Sequence, residues 1–534
     1  MKLSRSRLLA IAAGTLAFGS ATGVAVIAAP LAAASAPTYS LANVGAYGGE
    51  PSITANSKGE LYDTTPSGGT ILYKSTDKGV NWAQTTTADP SSGDDCVFTD
   101  QANKLYLCNL AGSQSTGPLQ ADIWKSFDDG ASWVYGNNTI NTGGQNVCGT
   151  SCNPFGVDRP WGAANIASGH TTYTAEVVLM YHDFYGPSQI WVNLSQDGGK
   201  TFGPPIDVLA NLTPQGSSQG VVALAQSACN TIPTGTAIEH GGAHPGRIYV
   251  AWIASDPESA GTGCNVTQAQ AYHNLFVAYS DDNGATWTPQ LAYDAGVGHD
   301  ASTPFTAFTI DEQGNPYIAF AVPAPSDNPA VCASESTAGT VQSDPTCAYH
   351  MWVVWSSNGG ATWDGGGGAY PGTAAKAYEV DPSSKAQTDV FPAIAAGDPG
   401  QVDVAWLHTN EIEPTDPLGK FDPGGCAGPG NGNPTTYPPT CSWNLYAGQS
   451  LNLTAGPAKA SWTRTAVTTT PMHVGDICNL GIFCVDPNSN RNLLDYISET
   501  MDPTTGFAHI AYADDNTVNK LRVANQVSGS KIDH

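Results

Sequence analysis

Basic side chains are the scarcest feature of this 534-residue chain: 20 Lys and Arg stand against 46 Asp and Glu, for a formal net charge of −26. That balance disfavours nucleic acid or anionic lipid as a partner, because phosphate binding needs clustered Lys and Arg. Beyond residue 37 only five arginines occur, Arg159, Arg247, Arg464, Arg491 and Arg522. Long apolar patterns of helical period are also missing. Short strands set off by abundant Gly (59) and Pro (37) take their place, which indicates an all-β chain. After residue 37 no apolar run is long enough to span a bilayer, so no membrane insertion of the mature chain is expected.

The one long apolar run lies at the start, "MKLSRSRLLAIAAGTLAFGSATGVAVIAAPLAAASAP", with a basic head and Ala-x-Ala options between Ala32 and Ala36. It reads as a secretory signal over residues 1–36, with a membrane anchor as the alternative. A secreted, extracellular and monomeric protein is expected, formed by residues 37–534. Twelve cysteines in an exported chain suggest disulfides. Their order suggests local pairs: Cys96–Cys108, Cys148–Cys152, Cys229–Cys264, Cys332–Cys347, Cys426–Cys441 and Cys478–Cys484. A zinc site built from Cys148, Cys152 and Cys478 is the alternative for those three.

The chain repeats itself. "STDKGVNW" (Ser75 to Trp82), "SFDDGASW" (Ser126 to Trp133), "SQDGGKTF" (Ser195 to Phe202), "SDDNGATW" (Ser280 to Trp287) and "SSNGGATW" (Ser356 to Trp363) each follow an apolar strand. A stretched, degenerate copy ends at Trp462. Upstream of each copy lies a strand–turn–strand unit, and seven such units can be traced, the fourth beginning at "GVVALAQSACN". Repeats of this kind predict a single β-propeller of four-stranded blades, seven by this count with six as the alternative. The N-terminal strand "TYSLAN" should close the last blade, which lacks a fourth strand of its own. The boxes occupy the turn between third and fourth strands. There a short Asp accepts turn amides, Gly supplies positive φ, and Trp packs between blades. Chemistry at five equivalent outer turns would be odd, so the boxes are expected to be scaffold.

Function is expected on the opposite face. Long insertions at 134–157, 323–347, 409–442 and 464–494 all join strands on that face, and innermost strands begin there with acids. Those acids are Glu50, Asp95, Asp158, Asp300, Asp389 and Asp495, with only the blade starting near Gln219 lacking one. Such a ring has three readings: capping of strand amides, binding of Ca²⁺, or acid–base work on a sugar. Asp95, Asp300 and Asp389 are candidate substrate contacts. "DRPW" adds Arg159, which either pairs with Asp158 or meets ligand, and Trp161, either a sugar platform or an inter-blade spacer. Arg491 carries the same ambiguity as Arg159.

The boxes resemble the Asp boxes of the sialidase (neuraminidase) and BNR-repeat superfamily, and the resemblance covers nearly the whole mature chain. It implies a propeller, and for function either a glycoside hydrolase or a non-catalytic propeller that binds glycan or protein. Sialidases hold the substrate carboxylate with three arginines and use a Tyr nucleophile paired with Glu, plus an Asp acid/base. By that resemblance "DYIS" places Tyr496 in the nucleophile position beside Asp495, and Asp63 matches the acid/base. Glu50 stands near where the first arginine would be, and Arg491 is a candidate for one carboxylate contact. The expected function is a sialidase-like glycoside hydrolase acting on a glycan or glycoconjugate at the acidic mouth of the channel. No cofactor is required by that chemistry, and Ca²⁺ is the candidate ligand of the acidic ring.

Overall fold

The computed structural model describes residues 35–67, 69–89, 93–111, 120–135, 157–166, 175–183, 190–209, 231–255, 272–294, 305–323, 333–335, 341–343, 349–363, 377–381, 388–410, 442–475, 477 and 491–534. Seven antiparallel four-stranded blades stand around one axis, and the only helical turn among the described residues is Leu453–Ala455. Blade one is Ser52–Ala55, Leu61–Thr65, Ile71–Ser75 and Ala83–Gln84; blade two is Asp95–Thr99, Leu105–Ala111, Gln120–Ser126 and Val134–Tyr135. Blade three is Val157–Ile166, Ala175–Asp183, Ile190–Ser195 and Ile206–Asp207. Blade four is Ile232–Ile238, Ile248–Ser255, Tyr272–Ser280 and Thr288–Asp294. Blade five is Ala307–Ile310, Pro316–Pro323, Tyr349–Trp355 and Tyr378–Glu379, and blade six is Thr388–Ala396, Val402–Thr409, Ser442–Ser450 and Thr463–Ala466.

Blade seven closes the ring as the sequence predicts. Its own strands are Ser498–Asp502, Phe507–Asp514 and Lys520–Ser528, and the fourth is the N-terminal Thr38–Asn43, with Leu41 opposite Ala524. The two ends of the propeller chain therefore lock each other into the ring.

The core lies between blades. Tyr249, Val277, Ile318 and Val354 join blades four and five, and Trp443, Leu445, Ile510 and Tyr512 join six and seven. Middle strands buried on both faces read as near-continuous apolar runs, as in "YHMWVVW", because each blade is covered by its neighbours. Trp252, Trp406 and Trp443 are fully buried, and each ring removes on the order of 200 Å² from water.

The boxes are the turn clamps expected. Asp282 Oδ1 accepts the Thr286 amide at 2.8 Å, its Oδ2 accepts the Thr286 hydroxyl at 2.6 Å, and Gly284 takes φ +79°. A Cβ on Gly284 would stand 2.7 Å from Leu194 Cδ1 of blade three, so the glycine also permits the blade contact. Where the fifth copy has Asn358, the amide oxygen takes the same backbone bond, Thr362 N to Oδ1 at 2.9 Å. In the stretched copy Asn452 Oδ1 still accepts the Ser461 amide, now nine residues away, at 2.9 Å.

Two expectations need correction or limits. The inner strand of blade four is Ile232–Ile238, not the "GVVALAQSACN" segment, which lies outside the described residues. Cys96 and Cys108 face each other on adjacent strands and are bonded, with Cα atoms 5.0 Å apart. The other five proposed pairs, and with them the zinc alternative, lie outside the described residues.

Candidate functional site

The entrances to the innermost strands share a backbone feature. Glu50, Arg159, Phe305, Phe391 and Leu494, in five different blades, all have φ between +49° and +62°. A left-handed conformation costs a non-glycine residue about 1–2 kcal/mol. Glu50, Arg159 and Phe391 also precede prolines, which restricts them further. In blades three and six the ladder slips at this point, between Asp158 and Trp161 and between Val390 and Ala393. Strain recurring at one place around a channel marks where side chains are being aimed.

At the channel mouth Glu50, Asp94, Asp158, Arg159, Arg491 and Asp495 come together. Arg159 Nη2 and Arg491 Nη2 each lie 2.8 Å from Asp495 Oδ2, and Arg491 Nε lies 3.3 Å from Oδ1. Arg491 Nη2 is also 3.8 Å from Glu50 Oε1. Arg159 rests its guanidinium on the Phe305 ring, 3.6 Å from the centroid. Asp158 Oδ1 accepts the Arg159 amide at 3.0 Å, and Asp158 is further bonded by the carboxyl of Asp94.

Those last two acids are the ones that reach solvent. Glu50 and Asp495 are buried, whereas Asp94 and Asp158 are half-buried. Burial first, and the negative charge of Asp158 next, push Asp94 up to about 7. Asp158 is raised by burial and held back by Arg159 and by its bond from Asp94. Two like charges this close cannot both ionise cheaply, which favours the protonated form of Asp94 beside the Asp158 carboxylate. Glu50 lies well above the carboxylate range through burial and the neighbouring Asp94 and Asp495.

Tyr496 sits behind this group. Its hydroxyl donates to the main-chain oxygen of Asp95 at 3.3 Å, not to a carboxylate, and burial raises the phenol further from ionisation. The carboxylate partner that a tyrosine nucleophile requires is therefore not at its Oη. Trp161 packs against the inter-blade cores, as one of its two readings foresees, and it also lines the channel cavity, its ring 5.4 Å from that of Tyr496. Below the mouth a cavity of about 120 Å³ runs between Phe305, Phe308, Pro392, Ile394 and Glu499.

The remaining acids leave the mouth. Asp95 turns into the seam between blades one and two, where Thr64 Oγ1 donates to it at 2.9 Å. Asp63 is fully buried beside it, its oxygens without a hydrogen-bond partner, and burial and Asp95 raise both its pKa and its cost. Asp389 pairs with His408 Nδ1 at 2.6 Å inside blade six. Asp300 lies outside the described residues. The expected ring is not one ring because the acids occupy different offsets from the left-handed residue: Asp158 precedes it, Glu50 is it, and Asp495 follows it.

Asp94 was missed. In "GDDC" the sequence points to Asp95 as the strand-leading acid, but successive residues of a strand face opposite ways, and it is Asp94 that joins the mouth group. For Ca²⁺, the acid groupings close enough to share a cation among the described residues are Asp381, Asp389 and His408, and Glu312, Asp398 and Asp533. Neither is at the mouth. In the first, Arg464 Nη2 already lies 2.9 Å from Asp381 and 3.1 Å from His408 Nε2, a guanidinium where a cation would stand.

The five arginines among the described residues are all committed. Arg247 pairs with Asp281 at 2.7 Å, Arg464 with Asp381, Arg522 with Asp514 at 3.0 Å, and the other two with Asp495. No family model matches the chain, and no curated protein matches it. Among solved structures it is similar to a PL25 ulvan lyase bound to -[GlcA(1-4)Rha3S]-, at 11% identity over 92% of this chain and 96% of that one, TM-score 0.43. It is similar to the GH74 enzyme of Niastella koreensis, at 14% identity over 89% of this chain and 53% of that one, TM-score 0.43. It is also similar to the alpha-L-arabinanase of Penicillium chrysogenum complexed with arabinobiose, at 13% identity over 69% and 94%, TM-score 0.38. At 11–14% identity these are likenesses of architecture.

Proposed function

We propose that the protein is a secreted glycoside hydrolase whose acid–base unit is the Asp94–Asp158 pair. What supports this is a pair of adjacent, half-buried carboxyl groups at the channel mouth, one of them raised to about 7 by burial and by the charge of the other. Protonated Asp94 gives its proton to the leaving oxygen as the glycosidic C–O bond breaks. Water then takes the place of the departed oxygen, bonds to the anomeric carbon on the same side and releases its proton to the Asp94 carboxylate, which restores the starting state, while the Asp158 charge beside Asp94 keeps that proton available near neutral pH. Asp495, Arg159 and Arg491 fix the entrance, and Trp161 and Tyr496 offer ring faces to a sugar.

A binding propeller would be favoured if the mouth carboxylates faced only backbone amides. Here Asp495 faces two guanidinium groups and Asp94 faces Asp158, which favours acid–base chemistry. A sialidase mechanism fits less well, since two arginines rather than three stand at the mouth and the Tyr496 hydroxyl meets a backbone carbonyl. The test is sugar release from a panel of chromogenic glycosides, including a sialoside, and of polysaccharides. Asp94→Asn and Asp158→Asn should each lower turnover by about 10²–10⁴-fold while the protein stays folded. Wild-type rates in both variants would remove the proposal.

A further inference from the structure

The two guanidinium groups at the mouth form a clamp of the kind that takes a planar carboxylate, with Arg491 offering two donors and Arg159 a third. In this chain the clamp is already full. We infer that Asp495 occupies it as an internal stand-in for a sugar acid, so that the site takes glycans whose cleaved unit carries no acidic group. This rests on the glycan-hydrolase reading above.

Three observations lead there. Arg159 has no face left to offer, because its side chain is 7% exposed, stacked on Phe305 and bonded to Asp495. Arg491 is 29% exposed, but its Nη2 is already shared between Asp495 at 2.8 Å and Glu50 at 3.8 Å. The groups that remain open at the mouth, Asp94 and Asp158, are themselves acids. A uronate or sulfate arriving here meets the Asp158 carboxylate and no uncommitted cation, and like charges placed together are how binding sites reject wrong partners. A neutral sugar meets carboxyl groups that bond its hydroxyls and the ring faces of Trp161 and Tyr496.

The test uses matched pairs that differ only in charge: pullulan, a galactan and a mannan, each beside the same polymer with its C6 hydroxymethyl groups oxidised to carboxylates. Binding is read by affinity gel electrophoresis and cleavage by release of reducing ends. Wild type should bind at least one parent polymer, and its oxidised form about tenfold or more weakly. Asp495→Ala, which vacates the clamp, should narrow or reverse that gap. Oxidised polymer bound or cleaved as well as its parent by wild type overturns the inference and leaves the hydrolase reading standing. Preference for the parent in binding with no cleavage of any polymer does the opposite. Binding to none of the six overturns both. Should Asp495→Ala not fold, as judged by circular dichroism, the wild-type comparison decides alone.

Discussion

Asp403 offers a sharp test of how the ring is closed. It lies at the seam of blades six and seven, where Glu499 of the innermost strand bonds its carboxyl group. Gln449 Nε2 approaches Asp403 Oδ2 at 3.1 Å, and Tyr39 Oη from the closing N-terminal strand approaches the same oxygen at 3.4 Å. The groups acting on this pair are thus Tyr39, Gln449, the Ala405 backbone amide and the two acids themselves, with no cation among them. Burial raises Asp403 from an ordinary 3.8 to about 7, and raises Glu499 well above its usual range. Each pKa unit corresponds to about 1.4 kcal/mol, so the Asp403 difference amounts to about 4 kcal/mol. The folded protein holds a proton that the unfolded chain releases above about pH 4. Its stabilising effect is full below that pH and is lost as the pH rises to about 7, with a slope of up to about 1.4 kcal/mol per unit. Asp403→Asn removes the titration and keeps the shape. Urea denaturation of wild type and variant at half-unit steps from pH 4 to 8 should show the variant's curve flatter by that slope. Buried acids away from this pair tilt both curves alike, and Glu499, relieved of the Asp403 charge, tilts the variant's curve less, so both effects make the variant flatter and the difference is the diagnostic quantity. Parallel curves, or a wild type that gains on the variant as pH rises, would refute the reasoning.

Three further outcomes are expected. Asp282→Ala removes three turn bonds and should lower stability by about 1–2 kcal/mol in thermal or denaturant melts, with turnover of the folded protein unchanged. Tyr496→Phe loses only a hydroxyl bonded to a backbone oxygen, so it should keep most activity on any substrate the wild type cleaves; loss of two or more orders of magnitude in kcat would restore the nucleophile role. Peptide mapping without reduction should recover Cys96 joined to Cys108, and replacing both by Ser should cost about 2–3 kcal/mol, as the loop closed spans 12 residues.

The ring was legible because its punctuation repeats. A Ser-x-Asp-x-Gly turn needs its own residue types whatever surrounds it, so five copies mark five strand pairs and the rest follow by spacing. Blade four was misplaced because "GVVALAQS" alternates like a strand, while the true inner strand "IPTGTAI" carries Pro and Gly that argue against one. The site was less legible for a related reason. Which of two neighbouring acids faces the channel depends on register, and the left-handed residues at Arg159 and Phe391 shift that register by tertiary demand. Hence Asp158, Glu50 and Asp495 met as expected, Asp94 was overlooked beside Asp95, and Asp389 turned away to His408. The direction of the Tyr496 hydroxyl likewise depends on blade two, far away in sequence.

Acid catalysis by Asp94 beside Asp158 is tested most directly by the pH dependence of kcat/KM on a cleaved glycan. With Asp94 raised to about 7, activity should fall as the pH rises through that value, because the acid that protonates the leaving oxygen is lost. Residual activity of Asp94→Asn should lack that alkaline limb. An alkaline limb that persists unchanged in Asp94→Asn would contradict the account.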